Sequence, residues 1–124
     1  MNDLILVDTN ILIYLLKGDE RLITLLEDKV LVISVLTEIE LLSFPNTSLE
    51  EISKIKKLIL DCQVIQLDQA IKEEAINLRK AYKLKTVDSI VAATAKSLDI
   101  VLITADKAFS KLHEELNQIL IYKV

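Results

Sequence analysis

Three runs, Leu4–Val7, Val30–Ile33 and Ile100–Ile103, are apolar at every position, and Val64–Leu67 departs from the pattern only at Gln66. A strand with one wet face alternates apolar and polar residues, so unbroken runs of this length point to strands covered on both faces. Such sheets are typically parallel, because the helices that join parallel strands pack on the two faces. Ile119–Tyr122 supplies a further apolar run near the end of the chain. Helical spacing follows each of the earlier runs. The alternation predicts an α/β fold with a central, mainly parallel sheet of four to five short strands, and residues 1–124 read as one domain without repeats.

The helices carry their own punctuation. Ile11–Leu16 reads as the first, Gly18–Asp19 breaks the chain, and Glu20–Glu27 reads as the second. Ser34 is placed to cap a helix ending near Ser43, with Phe44-Pro45-Asn46 as its stop. Ser48 and Glu51 have capping-box spacing ahead of Ile52, Ile55, Leu58 and Ile59. Asp68 is placed to cap a helix whose stripe is Ile71, Ala75, Leu78 and Tyr82. Thr86 reads as the cap of the next, with stripe Val87, Ile90, Val91, Thr94 and Leu98, and Thr104-Ala105-Asp106 as the start of a last helix.

Composition excludes several classes of function. One Gly and one Pro leave no room for a glycine-rich phosphate loop. His113 is the only histidine, which argues against triad chemistry and histidine-rich zinc sites, and it reads as a surface residue. Cys62, the lone cysteine, reads as a small core residue. No charge-free stretch is long enough to span a bilayer and the first residues lack the basic character of a secretion signal, so a soluble, cytoplasmic protein with no membrane association is expected. The net charge of -4 argues against binding nucleic acid through phosphates alone. That objection weakens if four acids sit in one metal site, since the remainder balances at 15 basic and 15 acidic residues. A mean hydropathy of +0.39 is high for so small a chain, so a homodimer or a tightly held partner is expected.

In an open parallel sheet the ligand crevice lies beyond the C-terminal strand ends. Asp8 directly follows the first run, and Asp106 comes three residues after Ile103. Asp88 falls in the first turn of its helix, beside Val91, Ala92 and Ala95 on the helical wheel. The Ser34–Ser43 helix has an apolar arc of Val35, Leu36, Ile39 and Leu42, with Glu38 on one border and Glu40 on the other, and periodicity does not choose between them. Each acid also has a structural reading: a helix cap for Asp8 and Asp106, a dipole partner for Asp88, a solvated border residue for either glutamate. Gathered in one crevice, they would raise one another's pKa unless a divalent cation neutralised them. Mg2+, with Mn2+ as a substitute, suits an all-oxygen donor set, and phosphodiester hydrolysis is the natural chemistry of such a site, with a purely structural metal or another phosphoryl transfer as the alternatives that the residues leave open.

LILVDTNILIYLL, ISVLTEIELL and KTVDSIVAATAKSLDIVLITADKAF together resemble the successive motifs of PIN domains, and the resemblance spans nearly the whole chain. It implies a three-layer α/β/α sandwich with the acids in its C-terminal crevice. It matches Asp8, Glu40 rather than Glu38, Asp88 and Asp106 to the family's four acids, which are catalytic and metal-binding. Thr9, Asn10 and Thr104 match small polar positions that would orient carboxylates or waters. Stand-alone chains of this size resemble the toxins of VapBC toxin–antitoxin pairs. Those are endoribonucleases that dimerise and are silenced by a small antitoxin, whose tail packs along an apolar groove. The expectation is a Mg2+-dependent endoribonuclease that cuts single-stranded RNA and pairs with a VapB-type antitoxin. Arg79, Lys80, Lys83 and Lys85 are candidates for contact with the RNA backbone, against the reading of a solvated helix end. With five aromatics in all, an extensive base-stacking platform is not expected. The alternatives are a catalytically silent PIN-like module that binds RNA or protein, and a metal nuclease acting on DNA. Phe44-Pro45 and Asp99 depart from common family forms, at turns rather than at acids.

Overall fold

The computed structural model describes residues 3–123. In chain order the elements are β1 (Leu4–Val7), α1 (Thr9–Leu16), α2 (Glu20–Leu26), β2 (Val30–Ser34), α3 (Val35–Leu42), α4 (Leu49–Leu60), β3 (Gln63–Ile65), α5 (Gln69–Tyr82), α6 (Thr86–Leu98), β4 (Val101–Thr104), a short 3-10 helix (Lys107–Leu112) and β5 (Ile119–Ile121). The five strands form one sheet in the order β3-β2-β1-β4-β5, and every pairing is parallel.

Alternation of side chains along the strands explains the unbroken apolar runs. Leu6, Val32 and Leu102 point to one face and pack with Leu78 of α5 and Ala92 of α6. Ile5, Val7, Ile33 and Ile103 point to the other and pack with Ile11 of α1, Leu22 of α2 and Ile59 of α4. The result is the three-layer sandwich expected from the sequence. The polar residues placed as caps act as caps: Asp8, Ser34 and Asp68 each accept a hydrogen bond from a backbone N–H of the helix that follows, and Ser48 and Glu51 form the reciprocal capping box.

Some expectations need correction. The cap of α6 is Lys85, without a side-chain hydrogen bond, and Thr86 is already helical. Leu98 at the end of that helix is exposed rather than part of the buried stripe. The last helix is only the 3-10 helix, because the chain must turn back at once to lay β5 beside β4. The third strand is one residue earlier and shorter than Val64–Leu67, with Leu67 exposed beyond it. The largest revision concerns α3: its fully buried residues are Thr37 and Leu41, while Ile39 is 55% exposed. Cys62 is half-buried and donates to the Leu58 carbonyl, and burial pushes its thiol up to about 11. His113 lies on the surface, as expected. Asp99, at the position where a glycine is common, adopts the left-handed conformation (φ 53°) that ends α6, which aspartate tolerates better than most residues.

Candidate active site

β1 is the central strand, and at its C-terminal end the chain turns into α1 through Asp8. One Asp8 carboxylate oxygen accepts the Thr9 N–H at 2.8 Å and the other accepts the Thr104 hydroxyl at 2.8 Å. The Thr104 oxygen in turn accepts the Asp106 N–H at 3.1 Å. A single buried hydroxyl thus fixes Asp8 on β1 against the end of the neighbouring strand β4. Asp106 caps the 3-10 helix through Ala108 N–H at 2.8 Å, so its capping reading and its place beside Asp8 are both realised.

Glu40, in the last turn of α3, accepts the Thr9 hydroxyl at 2.7 Å. Thr9 and Thr37 lie 3.2 Å apart at their hydroxyl oxygens. Since the Thr9 proton goes to the carboxylate, Thr37 is the donor of that second bond. Thr37 precedes Glu40 by one turn and is fully buried, so two threonines from different elements hold this glutamate. Asp88, in the first turn of α6, has no hydrogen bond to its carboxylate among the described residues.

All four acids expected from the sequence line one cleft of about 440 Å3, together with Thr9, Asn10, Phe44, Lys85, Thr86 and Val87. Of the two glutamates between which periodicity did not choose, Glu40 lines the cleft and Glu38 is not among its lining residues. Of the four basic residues singled out beforehand, only Lys85 borders the cleft. Arg79, Lys80 and Lys83 are exposed at the end of α5, and Arg79 borders a separate apolar depression with Lys72, Ala75 and Ile90. Thr37 and Phe44 were missed by sequence reasoning. The spacing of Thr37 three residues before Glu40 was a signal available for the first, whereas Phe44 read only as part of a helix stop.

Burial raises the Asp8 carboxyl above its ordinary value; the hydrogen bonds from Thr104 and Thr9 oppose this, and the charges of Glu40 and Asp106 add to it. Burial also raises Asp88, reinforced by Asp8 and Asp106 and partly offset by Lys85. One lysine thus faces four carboxylates. Among the described residues, no three acidic, histidine or cysteine side chains already converge as a closed metal cage. The donor set is all oxygen, spread around an open cleft, which suits a hydrated hard cation held through one or two carboxylates and water. It does not suit the four-ligand set of structural zinc.

The chain matches the PIN domain family over residues 5–115 and belongs to it. Among solved structures it is similar to a toxin–antitoxin complex from Klebsiella pneumoniae, with 30% identity, a TM-score of 0.83, and coverage of 96% of this chain and 98% of that one. It is also similar to VapBC-1 from nontypeable Haemophilus influenzae, with 26% identity, a TM-score of 0.79, and coverage of 95% and 97%. VapBC2 from Rickettsia felis, solved with a DNA fragment from its promoter, shares the fold at 17% identity and a TM-score of 0.81, covering 97% and 99%. No curated protein matches the chain. The fold is therefore that of the PIN domains found in VapBC toxin–antitoxin complexes.

Proposed function

We propose that this chain is a divalent-metal-dependent endoribonuclease, the toxin of a VapBC-type pair, with Asp8, Glu40, Asp88 and Asp106 as its catalytic carboxylates. The observation that carries the reading is the gathering of these four acids into one cleft with a single lysine. Carboxylates gathered in a cleft with their charge largely uncompensated by the protein are a common mark of a functional site. Mg2+, or Mn2+ in its place, would supply activation of an attacking water and stabilisation of charge on the phosphate.

The protein's own part is to present ionised oxygens at fixed positions. Asp8 is oriented by Thr9 N–H and the Thr104 hydroxyl, and Glu40 by the Thr9 hydroxyl backed by Thr37. Asp88 has more freedom to adjust. Asn10, exposed at the cleft wall, offers an amide to a water or a phosphate oxygen, and Lys85 a charge to the RNA backbone. Burial raises Asp8 and Asp88 above their ordinary values, so their ionisation, and activity with it, should rise with pH through those raised pKa values.

A second depression of about 360 Å3, lined by Ile13, Leu16, Leu41, Pro45 and Ile55 among others, adjoins the cleft at Phe44. It supports the reading that an apolar antitoxin segment docks there, as does the likeness to solved toxin–antitoxin complexes. The homodimer expected from the mean hydropathy remains part of this proposal, and Leu49 and Leu60, 87% and 83% exposed at the two ends of α4, are side chains that it would cover. No described helix is long and apolar enough to cross a membrane, which is compatible with action in the cytoplasm.

The test is to incubate purified protein with labelled single-stranded RNA and matched DNA, in Mg2+, Mn2+ or chelator, beside an Asp8→Asn variant. Metal-dependent cutting of RNA but not DNA, lost in the variant, is the expected result. Cutting of DNA transfers the activity to that substrate. Absence of cutting over a broad RNA panel, with wild type and variant alike, makes the chain a binding module.

A further inference from the structure

Each of the five aromatic side chains has a different environment. Phe109 is fully buried in the core. Tyr14 and Tyr122 pack against each other with ring centroids 6.4 Å apart, and Arg21 lies over the Tyr122 ring at 5.0 Å. Tyr82 donates its hydroxyl to Glu115. Phe44 remains 43% exposed, and it lines the cleft that holds the four carboxylates and Lys85.

The backbone that presents Phe44 is well fixed. The Ser43 N–H and hydroxyl both donate to the Glu40 carbonyl, closing the end of α3 just before the ring. The Phe44 carbonyl accepts the Thr47 hydroxyl at 2.8 Å, and Pro45 restricts the turn between them. Asn46 takes the left-handed conformation there, with φ 62°. An exposed aromatic ring on a braced turn loses little freedom when a flat partner stacks on it.

We infer that Phe44 is a stacking platform for a base of single-stranded RNA next to the phosphate held in the cleft. This rests on the nuclease reading above and deepens it. The choice of an RNA base over a protein side chain follows from the company the ring keeps at the cleft: carboxylates that need a cation, and one lysine suited to phosphate. Stacking is tolerant of sequence, because every base has a π face, so the residue would favour single-stranded over paired RNA rather than one base over another. With five aromatics in all, an extensive platform is not expected, and one ring at the cleft wall is compatible with that.

The experiment measures equilibrium binding in the uncleaving Asp8→Asn background, with Mg2+ present. The probes are a short labelled oligoadenylate and an abasic ribose-phosphate oligomer of the same length. Phe44→Leu should weaken oligoadenylate binding roughly 5- to 100-fold, as loss of one stacked base does. Phe44→Trp should match or exceed the parent. The abasic oligomer should bind parent and Phe44→Leu alike, since the phosphate contacts survive. Equal oligoadenylate binding by parent and Phe44→Leu overturns the inference and assigns the ring to the occupant of the adjoining groove. An equal loss on the abasic probe also overturns it. Failure of the Asp8-intact protein to cut RNA, with the Phe44 dependence of binding intact, removes the nuclease reading alone; failure of every variant to bind oligoadenylate, with the Asp8-intact protein still cutting RNA, removes the stacking inference alone.

Discussion

Helix α6 has an acidic cluster at each end, and the two are built in opposite ways. In its last turn Lys96 places its ammonium 3.2 Å from Glu74 and 2.7 Å from Glu115, and Tyr82 donates to the other Glu115 oxygen at 2.8 Å. The hydrogen bonds from Lys96 and Tyr82 hold the Glu115 carboxyl below its usual range. In its first turn Asp88 shares a cleft with Asp8, Glu40 and Asp106 and only one lysine, and burial holds Asp8 and Asp88 above that range. In the first cluster the chain supplies one lysine to two carboxylates and the Tyr82 hydroxyl to one of them, fastening α5, α6 and the segment before β5. The second has one lysine for four carboxylates, a larger deficit that a cation from outside the chain would fill. The difference teaches that an acidic cluster points to a site when most of its compensating charge is missing and its carboxylates open into a cleft.

Removing an acid from each cluster separates the two most sharply. Asp8→Asn should abolish metal-dependent RNA cleavage, by about 10^3-fold or more in single-turnover rate, as expected for loss of several kcal/mol of transition-state stabilisation. Retention of most of the rate would mean that the uncompensated cluster is not the catalytic one. Thr37→Val should lower the rate or the Mg2+ affinity by roughly 10- to 100-fold through its effect on Thr9 and Glu40, and Thr37→Ser should restore it. If Ser and Val behave alike, the hydroxyl contributes only packing.

Lys96→Met belongs to the other end of the helix. It should lower the urea midpoint by an amount worth about 1 kcal/mol, small because roughly a third of the Lys96 side chain remains exposed, while leaving Mg2+-dependent cleavage unchanged. The smallest effect is expected from Asp88→Asn in chelator. The folded state holds the Asp88 proton more tightly than the unfolded chain does, so this group's contribution favours folding at low pH and is lost as pH rises through its folded pKa. The variant should therefore melt higher than wild type at neutral pH without metal and converge with it in acid. Thermal melts across pH would refute the uncompensated-charge picture if the variant were the less stable at neutral pH.

Much of the architecture was legible because local signals and the global fold agree. The apolar runs predicted strands covered on both faces, and Ser34, Ser48 with Glu51, and Asp68 predicted helix starts that the structure contains. Asp8 and Asp106 were visible as acids at strand ends. The reading failed where polarity and burial part company. On α3 the apolar arc through Ile39 looked like the core face, yet Thr37 is buried because Thr9 satisfies its hydroxyl, and that rotation turns Glu40 to the cleft. A helix of eight residues has too few turns for periodicity to detect this. Periodicity also said nothing of Phe44, whose position depends on how the α3–α4 turn meets the cleft.

The hydrogen bond from Thr104 to Asp8 joins residues 96 positions apart in the sequence. During synthesis Asp8 emerges well before β4 and Asp106. Until then β1 lacks one of its two neighbours, Asp8 lacks the hydroxyl that orients it, and the cleft lacks an acid. A growing or truncated chain that stops before Val101 therefore holds the first acids but not the assembled cleft, so a site built this way forms only after β4 and Asp106 have been made.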